Sequence, residues 1–373
     1  SGFDYYQKFL KLIGLKDRFW TQSRLDVEFR DGNGRTGRVQ SSLFPPPLHL
    51  ASAFFDFPFI SLKDKLSLVG PLFPALFFDY GDNSKSISFG DWLRSRGASE
   101  ASISKLWNHI IVPTLNASVD EVSVEMGMMI LKRVLLDKQG GRLGRLQDPM
   151  VSIGEEAAGF IKENGGQVST SSPVAEIILK EKGKHLVQLQ GGRTIETEVV
   201  VSAVPGHRLE TMLSDSALER FKRPFWQLEW NSIINVHLIF TESVMEEKFF
   251  GYLEGTAGWV FNVEHDGERS GRHICMTISD PGELEEMETG DLVEKVKREL
   301  TSPLPDIKHT KMEDSIAIYQ PRATFKVTPG SNSLRPPQNP AQERFFLAGD
   351  WTDTGWPSTM ESAVRSGYYA ADE

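Results

Sequence analysis

The chain predicts an α/β protein that carries an inserted α+β lobe and a helical lobe, and three observations support that expectation. Phe345, Phe346, Leu347 and Ala348 form a short continuous apolar run, the pattern of a central parallel strand, and a helical stretch follows it. Residues 167–204 read as a strand meander, with VAEIILK and HLVQLQ joined by EKGK before TIETEVVVSAV. Residues 208–340 alternate in the period of an antiparallel sheet and contain one charged helix. The expected divisions are therefore a helical substrate lobe at 1–145, two parts of one sheet domain at 146–207 and 341–373, and the inserted lobe at 208–340.

Taken in order, the sequence opens with a helix from about Tyr5 to Ile13. A hairpin follows, in which LDVEF and RVQSSLF flank Asp31-Gly32-Asn33-Gly34. The formal G-x-G-x-x-G at Gly32–Gly37 is thus a turn and not a phosphate loop: no helix follows it, and Pro45, Pro46 and Pro47 arrive soon after. Residues 48–80 are crowded with phenylalanine. Asp56, Lys63, Asp64, Lys65, Pro71 and Pro74 forbid a membrane span there, leaving either a phenylalanine-rich core or a surface that dips into a bilayer. Phe54, Phe55, Phe57 and Phe59 lie too close in sequence for one helical face to bury them all. Two helices are expected between Ile87 and Asp120, with His109 a packing or surface residue, and another from Ser152 to Asn164. In NSIINVHLIF, Ile234, Val236, Leu238 and Phe240 share one face, while Asn235 and His237 share the other with Ile233 and Ile239. Leu284 to Leu300 reads as a charged surface helix.

Composition narrows the function. The 373 residues exceed a single core, and a net charge of −10 without a basic stripe argues against nucleic acid as a partner. The single cysteine, Cys275, rules out internal disulfides and Cys-rich metal sites and suits a cytoplasmic, reducing compartment; within HICMTI it reads as a buried thiol. The histidines lack ligand spacing, so no metal is expected. Asn116-Ala117-Ser118 is a formal glycosylation sequon, with nothing else pointing to secretion.

The end of the chain concentrates the ligand signals. Gly349 and Asp350 close an apolar strand, where ligands collect in open α/β sheets. Pro357 precedes Ser358, and Ser358 with Glu361 spells an S-x-x-E capping box that would open a helix. The N–H of Met360 and the positive end of the helix dipole would suit an electron-rich carbonyl or an anionic ring. The same residues would also serve an ordinary strand-turn-helix.

LAGDWTDTGWPSTMESAVRSG resembles the C-terminal FAD-binding motif of the amine oxidase and carotenoid desaturase flavoproteins, and is most similar to the squalene-associated desaturases, or hydroxysqualene dehydroxylases. LWNHIIVPTLNASVDEVS, VVSAVP, NVHLIF, WVFN and RATF match that family in order along most of the chain. The resemblance implies an FAD/NAD(P)-binding Rossmann-like domain, with Gly349, Asp350, Pro357, Ser358, Thr359 and Met360 at the flavin. It places the backbone of Val174 at the adenine edge and Ala203 to Pro205 against the cofactor. Amine oxidases of the superfamily often carry an aromatic residue where this chain has Thr359, which favours a long apolar isoprenoid over an amine. The implied chemistry is reductive dehydroxylation of hydroxysqualene to squalene, in hopanoid or triterpene biosynthesis, or else phytoene-type desaturation. A proton donor would be needed for the first, with His237 the first candidate and Asp353 the second; Trp356 and Trp351 are candidates to stabilise a cation. Contact with the inner membrane surface through 48–80 would bring the substrate within reach.

The family begins with a strand, a glycine-rich turn and a helix that hold the FAD pyrophosphate, and this chain has no such unit. The sequence reading is therefore of a fragment lacking at least about 30 residues of that unit. A reading from another class, a structural or membrane-associated lobe without activity, stays open on the sequence alone.

Overall fold

The computed structural model describes residues 3–46, 48–77, 86–135, 137, 140–256, 258–264, 267–340 and 344–373. Its largest element is a seven-stranded sheet, in the order Met312–Phe325, Trp230–Phe240, His273–Ser279, Trp259–Asn262, Phe249–Tyr252, Asp26–Arg30, Thr36–Gln40. The sheet is mixed where the sequence predicts an antiparallel one. Gly251 and Tyr252 pair in parallel with Phe29 and Arg30, so the early hairpin extends the sheet of the inserted lobe. The hairpin turn is as expected: the Asp31 carboxylate accepts from the N–H groups of Asn33 and Arg35 and from Arg35 Nε, and Gly34 takes φ 76°.

One face of this sheet is closed by the helix Thr289–Leu300, which starts a few residues later than its charge pattern suggests because Gly282–Glu286 winds as a 3₁₀ turn. Leu292, Val293, Val296 and Leu300 lie on one side of that helix and pack against Ile234, Val236, Leu238, Val260 and Ile274. Each such side chain contributes roughly 1.5–3 kcal/mol by leaving water. The opposite face, with Asn235 and His237, is only half covered.

A helical lobe holds a second core. Helices Phe89–Ser95, Asn108–Leu115 and Val124–Ile130 surround Phe89, Trp92, Trp107 and Met128. Asn116, at φ 52°, ties this lobe to the sheet: its Nδ2 donates to Ser232 O and Thr324 Oγ1, while its Oδ1 accepts from the N–H of Asp280. With its amide fully engaged in the interior, the Asn116 sequon offers no glycan acceptor.

Another sheet has only two strands. Phe345–Leu347 pairs in parallel with Val200–Ser202. Phe345 and Leu347 are buried, but Phe346 is half exposed and Val201 is 52% exposed, so this strand is not buried on both faces as its apolar run predicts. Two strands alone can press only one face onto the core. The three-stranded meander is as expected: Val174–Ile178, His185–Leu189 and Thr194–Thr197 form their own antiparallel sheet.

Both ends of the chain meet. The opening helix Asp4–Leu12 packs beside the closing helix Met360–Asp372, with the ring of Tyr5 edge-on to Tyr368 and Tyr369. Tyr6, Leu10, Ile13 and Leu15 join Ile153, Ala157 and Phe160 of the helix Val151–Glu163 in a third cluster.

In the phenylalanine-rich stretch, Phe54, Phe55, Phe57 and Phe59 are not all buried, as expected: Phe55 is exposed while Phe57 and Phe59 are buried. Phe57 and Phe59 pack on each other and Phe57 also on Phe29. Leu43, Phe44, Phe73 and Phe77 are instead 89, 66, 67 and 75% exposed, around the helices Ala51–Asp56, Leu62–Ser67 and Val69–Leu76. Phe78 to Tyr80, like Pro47, lie outside the described residues. Among the described residues, no helix is long and apolar enough to cross a membrane.

Candidate functional site

The paired strands Val200–Ser202 and Phe345–Leu347 run in parallel, so their carboxyl ends deliver Ala203–Pro205 and Gly349–Asp350 to the same place. Two bonds fasten these ends together: the Ala348 N–H donates to Ser202 O at 2.8 Å, and Trp351 Nε1 donates to Val204 O at 3.1 Å. Gly349 has φ 145°, outside the range of ordinary L residues, and an added Cβ would sit 2.5 Å from Trp351 Nε1.

Asp350 is nearly buried, and burial holds its carboxyl above the usual carboxylate range. Its nearest neutral partner is the Ser358 hydroxyl, which donates a short hydrogen bond to Asp350 Oδ2. That bond changes the helix start predicted from sequence. With its hydroxyl drawn to a carboxylate, Ser358 does not cap; Thr359 is the N-cap, its Oγ1 accepting from the Ser362 N–H at 3.2 Å. Glu361 does not fold back to complete a capping box either. Its carboxylate is fully buried and accepts from the N–H groups of Tyr5 and Tyr6, at 3.2 and 2.9 Å, and from Arg365 Nε at 2.7 Å. It therefore caps the opening helix, more than 350 residues away in sequence.

The loop 350–356 is held by a residue that no sequence signal marks. Arg335, in the loop run LRPPQNP, is completely buried. Its guanidinium donates to the carbonyls of Asp350 (3.1 Å), Trp356 (2.7 Å) and Thr352, and its plane lies 4.7 Å from the Phe325 ring centre. Burial lowers its pKa to about 10, which leaves it charged at neutral pH. Gln338 Nε2 donates to Thr352 Oγ1 at 2.8 Å, and Arg223 NH1 reaches both Arg335 O and Asp353 Oδ2 at 2.6 Å.

These contacts reassign several candidates. Asp353 fastens the loop to Arg223, so its carboxylate is engaged by a guanidinium. The faces of Trp356 meet Arg365 at 4.7 Å and Arg133 at 5.7 Å, and Trp351 is wholly buried against Phe225. His237 lies on the half-covered face of the large sheet. Its Nδ1 lies 3.0 Å from His273 Nε2 and its Nε2 3.7 Å from Cys275 Sγ. Burial and the neighbouring His273 lower the His237 pKa, while burial raises the Cys275 thiol to about 11, which fits an inert thiol. His109 packs as expected, its Nε2 3.3 Å from Tyr252 O. Val174 lies in the meander. Among the described residues, no cluster of His, Cys, Asp or Glu could hold a metal ion.

The residues present here are of the kinds that fit a flavin. Ala203 and Pro205 are exposed at the strand ends, and the Gly349 backbone is bare of a side chain. The N–H groups of Met360 and Glu361 have no protein partner among the described residues, and they sit at the positive end of the closing helix. A strand-end Gly-Asp, a largely buried carboxylate and a helix start meet at the ends of the two parallel strands, an arrangement that fits the class of FAD-dependent oxidoreductases.

The comparisons with known proteins agree. The family described as flavin containing amine oxidoreductase matches residues 4–373, and the chain belongs to that family. It is 26% identical to a hydroxysqualene dehydroxylase of Zymomonas mobilis, aligned over all of this chain and 84% of that protein. It is 24% identical to a 15-cis-phytoene desaturase of Solanum lycopersicum over 96% of this chain, and it spans only 65% of that relative's length. A solved oxidoreductase from Methanosarcina mazei has the same fold, with a TM-score of 0.72 at 14% identity over 99% of this chain and 85% of that one. Cyclohexylamine oxidase from Brevibacterium oxydans gives a TM-score of 0.64 at 14% identity over 100 and 85% of the two chains.

Proposed function

We propose that the chain forms the isoalloxazine half of an FAD site and takes part in the reductive dehydroxylation of hydroxysqualene to squalene. The observation that carries this reading is the convergence of Asp350, Ser358 and the start of the closing helix at the ends of two parallel strands, in a chain similar over its whole length to a hydroxysqualene dehydroxylase. Asp350 would accept from a ribityl hydroxyl, the Met360 N–H would meet the pyrimidine edge, Ala203 to Pro205 would close over the ring system, and the Val174 backbone would meet the adenine. FAD, when bound in its reduced form, supplies the hydride. The chain's own residues exclude water, orient the substrate and deliver a proton to the departing hydroxyl, for which His237 is the candidate acid. Thr359, as a small N-cap without a ring, favours an isoprenoid over an amine.

The deciding experiment uses the full-length protein reconstituted with FAD. Under dithionite and without oxygen, hydroxysqualene should be converted to squalene. If phytoene is consumed under oxidising conditions instead, the phytoene-type desaturase reading replaces this one, and its 24% identity to the tomato enzyme is what keeps it in view. Absence of visible flavin absorption after adding FAD would overturn both.

Asp350→Asn separates binding from stability. The buried carboxylate costs the apoprotein stability at neutral pH, because its folded pKa is raised; the neutral amide removes that cost. The variant should melt no lower than wild type as apoprotein yet retain FAD at least about tenfold more weakly, having lost a charge-assisted acceptor. Unchanged flavin content would remove Asp350 from the site.

The exposed Phe73 and Phe77, whose ring centres lie 5.6 Å apart, belong to the stretch 48–80 proposed to meet the membrane and collect the substrate. Changing Phe73 and Phe77 together to serine should lower partitioning onto lipid vesicles by about tenfold or more. Equal sedimentation of variant and wild type with vesicles would assign those side chains to another partner.

A further inference from the structure

The open face of the large sheet carries an ordered row of side chains. The strand registers place Ile316, His237, Cys275, Phe261 and Phe249 opposite one another across neighbouring strands. The adjacent row contains Ile318, Asn235, Thr277 and Trp259, and Thr277 Oγ1 donates to Asn235 Oδ1 at 2.9 Å. A groove of about 670 Å³ begins at Phe249, where the first row ends, and apart from Trp20 its further lining is polar and charged, with Arg24, Asp26, Glu28, Arg38 and Glu247 in it. His237 and His273 lie beside the Cys275 thiol and near aromatic and aliphatic side chains, with Asp314 opposite Ile239 at the edge, and Asn235 and Thr277 satisfy each other beside them. This is a surface suited to an apolar chain bearing a single hydroxyl.

We infer that His273 is a positioning residue that orients His237 and recharges it with the proton given to the substrate's departing hydroxyl. The inference rests on the dehydroxylation proposed above. The geometry supplies the reason: with His237 Nδ1 3.0 Å from His273 Nε2, one ring must donate and the other accept. When His273 Nε2–H donates, the His237 tautomer is fixed with its own proton on Nε2, on the side of Cys275 and the open face. A proton from solvent enters His273 at Nδ1. As the allylic C–O bond breaks with its electron pair on oxygen, His237 Nε2–H passes to that oxygen, which leaves as water. His273 Nε2–H moves to His237 Nδ1 in the same step, and both rings end neutral. The carbon receives the hydride, and an external two-electron reductant, dithionite in the assay, restores the reduced cofactor. Solvent exchange then resets the tautomers.

Among the described residues, few charged groups surround the pair. Glu264 and Arg269, which bridge each other at 3.4 Å, face His273; Cys275 faces His237; and the flanking strand places Ile316 opposite His237 with Asp314 paired to Ile239. Burial keeps both histidines below the ordinary imidazole range, with His273 adding to the effect on His237 and Arg269 to that on His273 against the opposing pull of Glu264, so the singly protonated pair prevails on the acid side and activity should fall as pH rises through its titration.

The test is His273→Gln in the full-length, FAD-loaded protein, beside His237→Gln. Removing His273 lifts its depressing effect on His237, so the alkaline limb of the pH–rate profile should move to higher pH, and the His237 ring should titrate at higher pH by NMR. The maximal rate should drop about tenfold, and His237→Gln should cost at least about a hundredfold. An active wild type with a His273→Gln variant matching it in pH profile and His237 titration would overturn the inference alone. A flavin-loaded wild type that leaves hydroxysqualene untouched would overturn the dehydroxylation reading and the inference with it.

Discussion

Replacing Arg335 with methionine should release the whole 350–356 loop. Methionine fills much of the volume but donates nothing, so the buried carbonyls of Asp350, Thr352 and Trp356 lose their shared partner. Each unsatisfied buried acceptor costs about 1–3 kcal/mol, so a loss of roughly 3 kcal/mol or more is expected. The guanidinium is also the closest compensating charge for the Asp350 carboxylate, and without it the ionised form becomes still less favourable. Two readouts follow: a thermal midpoint lowered by several degrees, and flavin lost on gel filtration. Arg335→Lys should recover little of either, since one ammonium cannot span carbonyls that a planar fork reaches together. If the methionine variant kept wild-type stability and flavin, the loop would have to be held by Gln338 and Arg223 alone.

Glu361→Ala should be comparably severe, though its target is different. The carboxylate lies in the interior between Arg365 and the N-terminus of the opening helix, so its removal strands a mostly buried guanidinium and uncaps Tyr5 and Tyr6. Breaking a buried pair in this way costs about 3–5 kcal/mol. Glu361→Gln keeps an acceptor for the two N–H groups and should cost less. Urea midpoints would order wild type, glutamine and alanine in that sequence. Hydrogen exchange should show the loss concentrated in Asp4–Leu12 and Met360–Asp372; a uniform loss across the protein would argue that Glu361 does not link the two helices.

Much of the site was legible in sequence because it is local. The strand Phe345–Leu347, the turn at Gly349 and Asp350, and the closing helix lie within about one motif of each other, and local hydrophobic pattern and turn chemistry specify them. The cap was misread by one residue for a reason that is not local: a carboxylate eight positions upstream competes for the Ser358 hydroxyl and wins, because a hydrogen bond to a charge is stronger than one to a backbone amide. The glycine-rich decoy was read correctly, since Asp31 and Gly34 build their turn from neighbours alone.

Long-range partners were not legible. Nothing near Arg335 announces that its guanidinium collects carbonyls some fifteen to twenty residues away, and nothing in Glu361 announces the N–H groups of Tyr5 and Tyr6. The parallel pairing of Gly251 with Phe29 is likewise invisible to periodicity, which states that a strand exists and which way its side chains alternate but not which strand lies beside it. By itself the sequence determined the class of fold, the strand-turn-helix at Phe345–Asp372 and the phenylalanine-rich stretch that no single helical face could bury, all products of propensity and pattern over short windows. Only the tertiary structure decided what holds the 350–356 loop in place, which carboxylate caps which helix, and that His237 stands beside His273, because those depend on groups brought together by chain reversal rather than by proximity in sequence.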